Sequence, residues 1–284
     1  MNERKILLKD NSLVEDRILK NVSKTRFKHP SPFARTSVTC IDNELGEVIF
    51  EKEENQIVLG GALFVLEKCW GLTPPITIES LNTIKGIGTT GPAVAKKDEF
   101  VYLFGVGTGG SGDSLGTVEE VKFYEREIFD MVPFRVIEPE NLTVDEADKY
   151  WFKDPLVGGK TAYYLKKFEV EPEIKVLWKD GEGDEDGSIV ETGVHNTTRT
   201  EPIETFVEMV LKITKKDVKE WFEMNGNIEM TRINSIGIFS GALGTLDGGE
   251  PEYKNVRMIG KLNFNNEMLE YAKDLTFIYR VYTS

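Results

Sequence analysis

The glycine-rich stretch Gly105–Gly110 reads G-V-G-T-G-G and follows a strand-like segment. It satisfies the G-x-G-x-x-G fingerprint of dinucleotide-binding proteins. That fingerprint needs a helix that begins at the third glycine, inside a strand–helix–strand unit. Residues 111–116 read S-G-D-S-L-G, which is too rich in glycine to begin a helix. We interpret the stretch as a structural turn, with a nucleotide- or sugar-binding enzyme as the alternative.

Two other patterns resemble phosphate or metal sites but lack a required residue. Residues 158–161 read G-G-K-T like the end of a P-loop, yet Asp154 stands where the first P-loop glycine belongs. Residues 180–188 align with the first half of an EF-hand calcium loop, yet Gly193 stands where the bidentate glutamate belongs. We interpret the first pattern as a turn and the second as a solvated acidic loop, with a weak ion site as the alternative for the loop.

The remaining reactive residue types form no catalytic pattern. His29 and His195 are too few for a histidine metal cluster, and neither stands beside a nucleophile in a typical arrangement. Carboxylates are plentiful, but no spacing marks a pair for general acid–base catalysis. Cys40 and Cys69 predict no disulfide scaffold, and we expect both to be buried, reduced thiols. The sequence predicts a protein that is not an enzyme, with no catalytic, cofactor-binding or metal-binding residues.

The elements that position these residues have mainly the pattern of β-strands. Runs rich in aromatic and β-branched residues, bounded by Gly, Pro or Asp, predict strands. They are Ser37–Ile41, Glu47–Phe50, Phe100–Phe104, Val132–Ile137, Ala162–Phe168, Ile174–Trp178, Val207–Ile213, Ile233–Phe239, Val256–Phe264 and Leu275–Tyr282. The last of these alternates apolar side chains on one face, so we expect it inside a sheet rather than at a frayed end.

One amphipathic helix is predicted from Asn55, as its N-cap, to about Cys69. Its apolar stripe is typical of a helix that packs on a core, and consists of Leu59, Leu63, Leu66 and Trp70. Gly60 and Gly61 lie within it and weaken the helix, so we expect another backbone to pack closely against them.

The pattern as a whole predicts an α+β, predominantly β fold with a β-sandwich-like core, a few short helices and an extended N-terminal arm. Thr143 with Glu146 forms a capping box for a short helix that ends near Trp151, and Thr214 with Asp217 caps another. We expect residues 1–44 to form a basic arm and linker. Residues 45–284 then form the mainly β domain, with a middle insertion at about residues 151–195.

Charge is distributed unevenly along the 284 residues, whose total is −13. Residues 1–40 contain nine basic and four acidic side chains, a net +5 that leaves −18 for the rest. The acidic body argues against nucleic-acid binding along a broad surface. No apolar run is long enough to predict a membrane span, and the charged N-terminus does not read as a signal peptide.

The basic arm offers one group of candidate contact residues, because a basic arm can dock on the acidic body of a neighbouring copy. The predicted assembly contacts are Arg17, Lys20, Arg26, Phe27, Phe33 and Arg35. A flexible terminus with fortuitous charge is the alternative interpretation of the same residues.

Several short motifs follow one another in a fixed order along the chain. They are Asn55–Leu63 (N-Q-I-V-L-G-G-A-L), Leu103–Gly109 (L-F-G-V-G-T-G), Thr117–Val121 with the charged stretch Tyr124–Glu127, Ile233–Phe239 (I-N-S-I-G-I-F), Val256–Phe264 and Lys273–Tyr282. This succession resembles the tail-fibre, collar and related virion proteins of tailed bacteriophages, over roughly residues 45–284. Residues 1–44 and the middle segment Trp151–His195 depart from the commoner pattern of that group.

The resemblance implies a structural component of the phage particle, in the tail, collar or neck, that acts through protein–protein contacts. It implies other virion proteins and copies of the chain itself as partners, in a homo-oligomer. It also implies a location in the virion after synthesis in the bacterial cytoplasm. A capsid decoration protein or a host-surface adhesin is the alternative within the same particle.

Overall fold

In the computed structural model of the protein, the described residues are 36–53, 57–111, 117–178, 188–190, 202–226, 233–265 and 273–282. The strands are β1 (Thr36–Asp42), β2 (Glu47–Glu53), β3 (Phe100–Gly107), β4 (Met131–Val132), β5 (Arg135–Ile137), β6 (Tyr150–Pro155), β7 (Thr161–Lys167), β8 (Glu173–Trp178), β9 (Ser188–Val190), β10 (Pro202–Ile213), β11 (Ser235–Thr245), β12 (Pro251–Asn263) and β13 (Leu275–Tyr282). The helices are α1 (Leu59–Trp70), α2 (Leu81–Lys85), α3 (Val144–Ala147) and α4 (Lys219–Met224), with 3₁₀ turns at Lys96–Asp98 and Pro139–Asn141.

Among the described residues, the first of two compact units combines residues 36–53 with those between Val170 and Lys212 and those from Asp274 to Tyr282. Its six strands form one sheet in the order β2-β1-β13-β10-β8-β9. β1 and β13 are antiparallel, and the buried side chain of Cys40 lies opposite that of Phe277. Because β13 has a neighbour on each side, the prediction of an interior final strand is confirmed.

An ion cluster links three neighbouring strands of this sheet. Arg280 of β13 donates its Nε to Glu208 of β10 at 2.7 Å, and Lys175 of β8 donates to the same carboxylate at 2.8 Å. Burial of Glu208 raises its pKa, but the charges and hydrogen bonds of Arg280 and Lys175 lower it more, so the carboxyl stays ionised. The cluster fixes the order β13-β10-β8 by charge as well as by backbone pairing.

The second unit comprises Gln56–Glu169 and Ile213–Lys273. Its sheet has the order β12-β11-β3-β7-β5, with β4 paired to β3 and β6 paired to β7. The interior of this unit is apolar, as the strand pattern requires, and is built from Val58, Leu81, Ile87, Leu103, Ile128, Met131, Trp151, Phe152, Leu165, Phe239, Tyr253, Val256 and Met258. With two antiparallel sheets and only short helices, the predicted α+β, predominantly β, sandwich-like fold class is confirmed.

The units divide the chain differently from the predicted domains. Residues 36–42, assigned to the arm, form strand β1 of the first sheet. The predicted middle insertion contributes β6 and β7 to the second sheet and β8 to the first. Both segments therefore supply strands of the two sheets.

Some local predictions were wrong. The helix that begins after Thr143 ends at Ala147, and Tyr150–Pro155 is a strand because it pairs with β7 over most of its length. The helix predicted from Asn55 begins at Leu59, after an N-cap residue, Val58, whose side chain makes no capping bond. Cys40 is buried as expected, but Cys69 is exposed near the end of α1.

Candidate assembly surface

The prediction that Gly105–Gly110 is a turn was wrong for its first half, because Gly105–Gly107 belong to strand β3 and pair with β11. A Cβ atom added at Gly107 or Gly109 would lie 2.8 Å from the carbonyl oxygen of Phe129. The amide of Thr108 donates to the Asp130 carbonyl at 3.1 Å, and that of Gly110 donates to Asn234 Oδ1 at 2.6 Å. A phosphate loop directs such amides at its ligand. Here they hold two chain segments together.

A buried cluster of Tyr150, Lys166 and Asp217 contains residue types common in catalysis. Tyr150 donates its hydroxyl to Asp217 at 2.6 Å, and Lys166 donates to the other carboxylate oxygen at 2.9 Å. Burial, and then the charge of Asp217, raises the pKa of the Tyr150 hydroxyl far above its ordinary value. The side chains of Lys166 and Asp217 are 1% and 0% exposed, so the cluster cannot meet a substrate. It joins β6 and β7 to the turn before α4.

Gly60 and Gly61 determine which face of α1 packs against the sheet. Cβ atoms at Gly60 and Gly61 would collide with the carbonyl oxygens of Met258 and Ile259, so this face of the helix lies directly on β12. The buried residues of the helix are Gly60, Gly61 and Phe64. The predicted close backbone approach is therefore present.

The same packing overturns the prediction that the leucine stripe of α1 faces the core. Leu66 is 36% exposed and Trp70 is 71% exposed, because the glycine face occupies the contact with β12. Gly71 ends the helix in the left-handed conformation, and Leu72 and Ile76 beyond it are 69% and 49% exposed. We call these four side chains, Leu66, Trp70, Leu72 and Ile76, the α1 surface. Large apolar side chains that stay exposed are common at protein–protein contacts.

Two hollows share the ion pair between Lys96 and Glu67 in their linings, and each includes one residue of the α1 surface. The acidic hollow measures about 450 Å³ and its charged lining residues are Glu67, Glu79, Glu99, Lys96 and Arg257. The basic hollow measures about 400 Å³ and its charged lining residues are Lys68, Lys96, Lys97 and Glu67. Ile76 lines the first and Leu72 the second, so each hollow has an apolar edge.

Ion pairs hold the floor of these hollows rigid. Arg257 donates one guanidinium nitrogen to both Glu67, at 2.9 Å, and Glu99, at 2.6 Å. Burial raises the pKa of Glu67, but the hydrogen bonds and charges of Lys96 and Arg257 lower it further, so the carboxyl has a pKa below its ordinary value. Lys68 donates to the Lys96 and Lys97 carbonyls at 2.8 and 3.1 Å. The floor is pre-organised, which lowers the entropy cost of binding.

The contact residues predicted on the arm are not among those that the structure describes. Arg17, Lys20, Arg26, Phe27, Phe33 and Arg35 lie outside the described residues, as do both histidines and the acidic stretch 180–187. Gly158 and Gly159 have φ near 86° and 82° in the turn between β6 and β7, which is a hairpin. The sequence analysis did not predict the α1 surface. The pair Gly60 and Gly61 could have indicated it, because a close backbone contact at the glycines turns the apolar stripe away from the core.

Comparisons with protein-family models, with curated proteins and with solved structures returned no match to this chain. Among the described residues, no three or more His, Cys, Asp or Glu side chains are grouped as metal ligands. None of the helices in the described part of the chain has the length and apolar character that a transmembrane helix requires.

Proposed function

We propose that this chain is a non-enzymatic building block of a tailed-phage particle, in its tail, collar or neck, which acts through contacts with copies of itself and with other virion proteins. It is made in the bacterial cytoplasm and ends in the virion. The observation that carries the proposal is the α1 surface. Trp70 and Leu72 are 71% and 69% exposed, and Leu72 lines a hollow that contains the ion pair between Lys96 and Glu67. The order of motifs from Asn55 to Tyr282 supports the phage assignment.

The structure gives three reasons to favour an assembly role over catalysis. The reactive-looking cluster at Lys166 and Asp217 is sealed from solvent. The amides of Thr108 and Gly110 are bonded within the protein. The accessible hollows have exposed apolar side chains at their edges. Apolar, aromatic and arginine side chains at such hollows supply much of the binding energy of protein–protein contacts.

The composition of purified particles tests the proposal. Phage that encode the chain are banded in a density gradient, and the copies per particle are counted by quantitative mass spectrometry. We expect several copies in every particle, and labelling with an antibody to the chain should mark the tail, collar or neck. Absence from particles, at normal expression in infected cells, would sink the proposal. Label on the capsid shell or at the fibre tips would replace it with a decoration protein or an adhesin.

A matched pair of variants links incorporation to the α1 surface. Leu72→Ser removes an apolar side chain that is 69% exposed, and Leu45→Ser removes one that is 60% exposed in the β1–β2 turn. We expect the first variant to be depleted from particles and the second to be incorporated normally. Equal incorporation of both variants, each with an unchanged melting temperature, would show that the α1 surface is not the assembly contact.

Nucleotide binding is tested by thermal stability in the presence of ligand. Because the amides of Thr108 and Gly110 already have partners, NAD or ATP at about 5 mM should leave the melting temperature unchanged. A saturable rise would favour the enzyme interpretation of Gly105–Gly110 instead. A rise with Ca²⁺ alone would show that the chain binds this ion, and residues 180–188 are the site that the sequence suggests.

A further inference from the structure

We propose that Lys166 and Asp217 become joined by an amide bond between their side chains, which the folded chain forms on itself with the loss of one water. The site of this self-modification lies inside the second unit. It does not depend on a place in the phage particle, because every residue that takes part belongs to the same chain.

The two side chains are already in contact at a place closed to water. Nζ of Lys166 is 2.9 Å from Oδ2 of Asp217, and the side chains are 1% and 0% exposed. An amine fixed against a carboxyl group reacts far faster than the same groups in solution, because folding has already removed their freedom to move apart. Burial also disfavours both charged groups relative to a neutral amide. The site therefore favours condensation much more than water does.

The hydrogen bonds of Asp217 give its two oxygens different roles. The Tyr150 hydroxyl donates to Oδ1 at 2.6 Å, and burial keeps it a donor by raising its pKa far above the ordinary value. Oδ1 remains in the product as the amide oxygen, so this donor stabilises the negative charge that develops there during attack. Thr214 donates to Oδ2 from its amide at 2.7 Å and from its hydroxyl at 3.1 Å. Those two donors hold the carboxyl in place and bind Oδ2 as it leaves.

A second carboxylate lies beside the lysine. Oε1 of Glu169 is 3.4 Å from Nζ of Lys166, and the Glu169 side chain is 23% exposed. The lysine ammonium must lose a proton before its lone pair can attack, and a carboxylate at this range can accept it. Glu169 then returns the proton to the leaving oxygen, as general acid–base catalysis requires.

The step balances without any partner from outside the chain. Nζ of Lys166 gives up two protons, the first by way of Glu169, and forms a bond to Cγ of Asp217. The bond between Cγ and Oδ2 breaks, and Oδ2 departs as water with both protons. One ammonium and one carboxylate thus become one neutral amide and one water, with no change of oxidation state.

The backbone that positions Asp217 is strained. Val218, the next residue, has a φ of 59°, which is unfavourable for a β-branched side chain. Its amide donates to the Phe134 carbonyl at 2.7 Å, which fixes this turn to the segment between β4 and β5. Strain of this kind is concentrated at functional sites, where the surroundings hold one residue in a single orientation. Here it holds the Asp217 carboxyl against Lys166.

Mass spectrometry of the purified, denatured full chain tests the proposal. We expect a mass that is lower than that of the 32.1 kDa sequence by one water. Digestion with trypsin should give a branched peptide that joins the segments around Lys166 and Asp217. Lys166→Arg keeps the positive charge but removes the amine nucleophile, so this variant should have the full mass of its sequence.

Lys261→Arg is the matched control. Lys261 pairs with Glu125, and these side chains are 1% and 6% exposed, so the pair is as well buried as the proposed site. Among the residues that the structure describes, no second carboxylate pairs with Lys261. Without a proton acceptor this pair should stay ionic, and the control variant should keep the loss of one water.

Glu169→Gln tests the proton transfer at a partly exposed position, where the fold should persist. The fraction of linked chain is followed by mass spectrometry after a pulse of synthesis. We expect linkage to be about 100-fold slower than in the wild type, with an unchanged circular dichroism spectrum. Linkage at the wild-type rate would reject the role of Glu169.

The proposal itself is overturned by a wild-type chain that has the full mass of its sequence. A loss of water that persists in Lys166→Arg would overturn it too, as would a branched peptide that joins other residues. All of these measurements use the purified chain, so they are independent of the composition of phage particles. Absence from particles would reject the virion role and leave a measured bond standing.

Discussion

Several glycines in this protein leave room for another backbone that packs directly against them. At Gly110 a Cβ would overlap the Asn234 carbonyl group, and the Gly110 amide donates to the side chain of the same residue. Asn234 also donates to the Thr108 carbonyl at 2.8 Å and to the Ser111 hydroxyl at 2.9 Å. One asparagine thus bonds to three polar groups between Thr108 and Ser111, which requires that no side chain stands at Gly110.

We expect Gly110→Ala to lower the free energy of unfolding by about 2 kcal/mol, because the added methyl group meets backbone atoms that cannot rotate away. Urea denaturation followed by circular dichroism measures the change. Gly248→Ala is the control, since a Cβ at Gly248 meets nothing within 4 Å. An unchanged midpoint for Gly110→Ala would show that the turn packs less tightly than the structure describes.

Among the helices, α3 begins with a reciprocal cap between Thr143 and Glu146. The amide of Glu146 donates to the Thr143 hydroxyl at 3.2 Å, and the Thr143 amide donates to the Glu146 carboxylate at 3.1 Å. The hydrogen bond from the Thr143 backbone, which outweighs the effect of burial, lowers the pKa of Glu146 to about 2. The capping box predicted from the sequence is confirmed, although the helix is only four residues long.

Because of this lowered pKa, part of the free energy of unfolding depends on pH in the acid range. The carboxyl has a pKa of about 2 when folded and about 4.5 when unfolded, so the unfolded chain binds more protons between those pH values. The stabilisation is present above pH 4.5 and is lost as the pH falls towards 2. Its size is about 1–2 kcal/mol, because solvent partly screens the carboxylate.

We therefore expect Glu146→Gln to lower stability at neutral pH and to flatten the acid side of the stability profile. Chemical denaturation at a series of pH values from neutral down to about 2 gives both quantities. Glu140→Gln, in the preceding 3₁₀ turn, removes the same charge from an exposed residue and should preserve the wild-type slope. Identical slopes for the two variants would contradict the assignment of the acid dependence to the cap.

At the scale of the whole molecule, the first unit depends on strands from the two ends of the chain. β13 lies between β1 and β10, and its side chains Phe277, Tyr279 and Tyr282 are each at most 2% exposed. Arg280 reaches the carboxylate of Glu208 on β10 from the same strand. Loss of β13 would therefore expose the edges of two strands and remove part of the apolar core.

We expect a chain that ends at Asp274 to lose the cooperative unfolding of its first sheet and to aggregate, because unpaired strand edges associate. A chain that ends at Tyr282 keeps all of β13 and is the control. Solubility and hydrogen exchange of the β1 amides measure the difference. Protected β1 amides in the shorter chain would show that β1 does not need β13.

The sequence by itself determined the elements whose pattern is local. Alternation predicted Leu275–Tyr282 as a strand, and the capping box predicted the start of α3 at Thr143. These features depend on backbone preferences and on neighbours a few residues away, which a sequence displays directly.

Only the tertiary structure decided which face of α1 packs and which is exposed. Periodicity marked Leu66 and Trp70 as core residues, yet Gly60 and Gly61 bring the opposite face onto β12. It also decided that Tyr150–Pro155 is a strand and that the acidic and basic hollows meet at Lys96 and Glu67. Packing contacts join residues far apart in the chain, so their outcome depends on the shape of distant partners that local pattern does not contain.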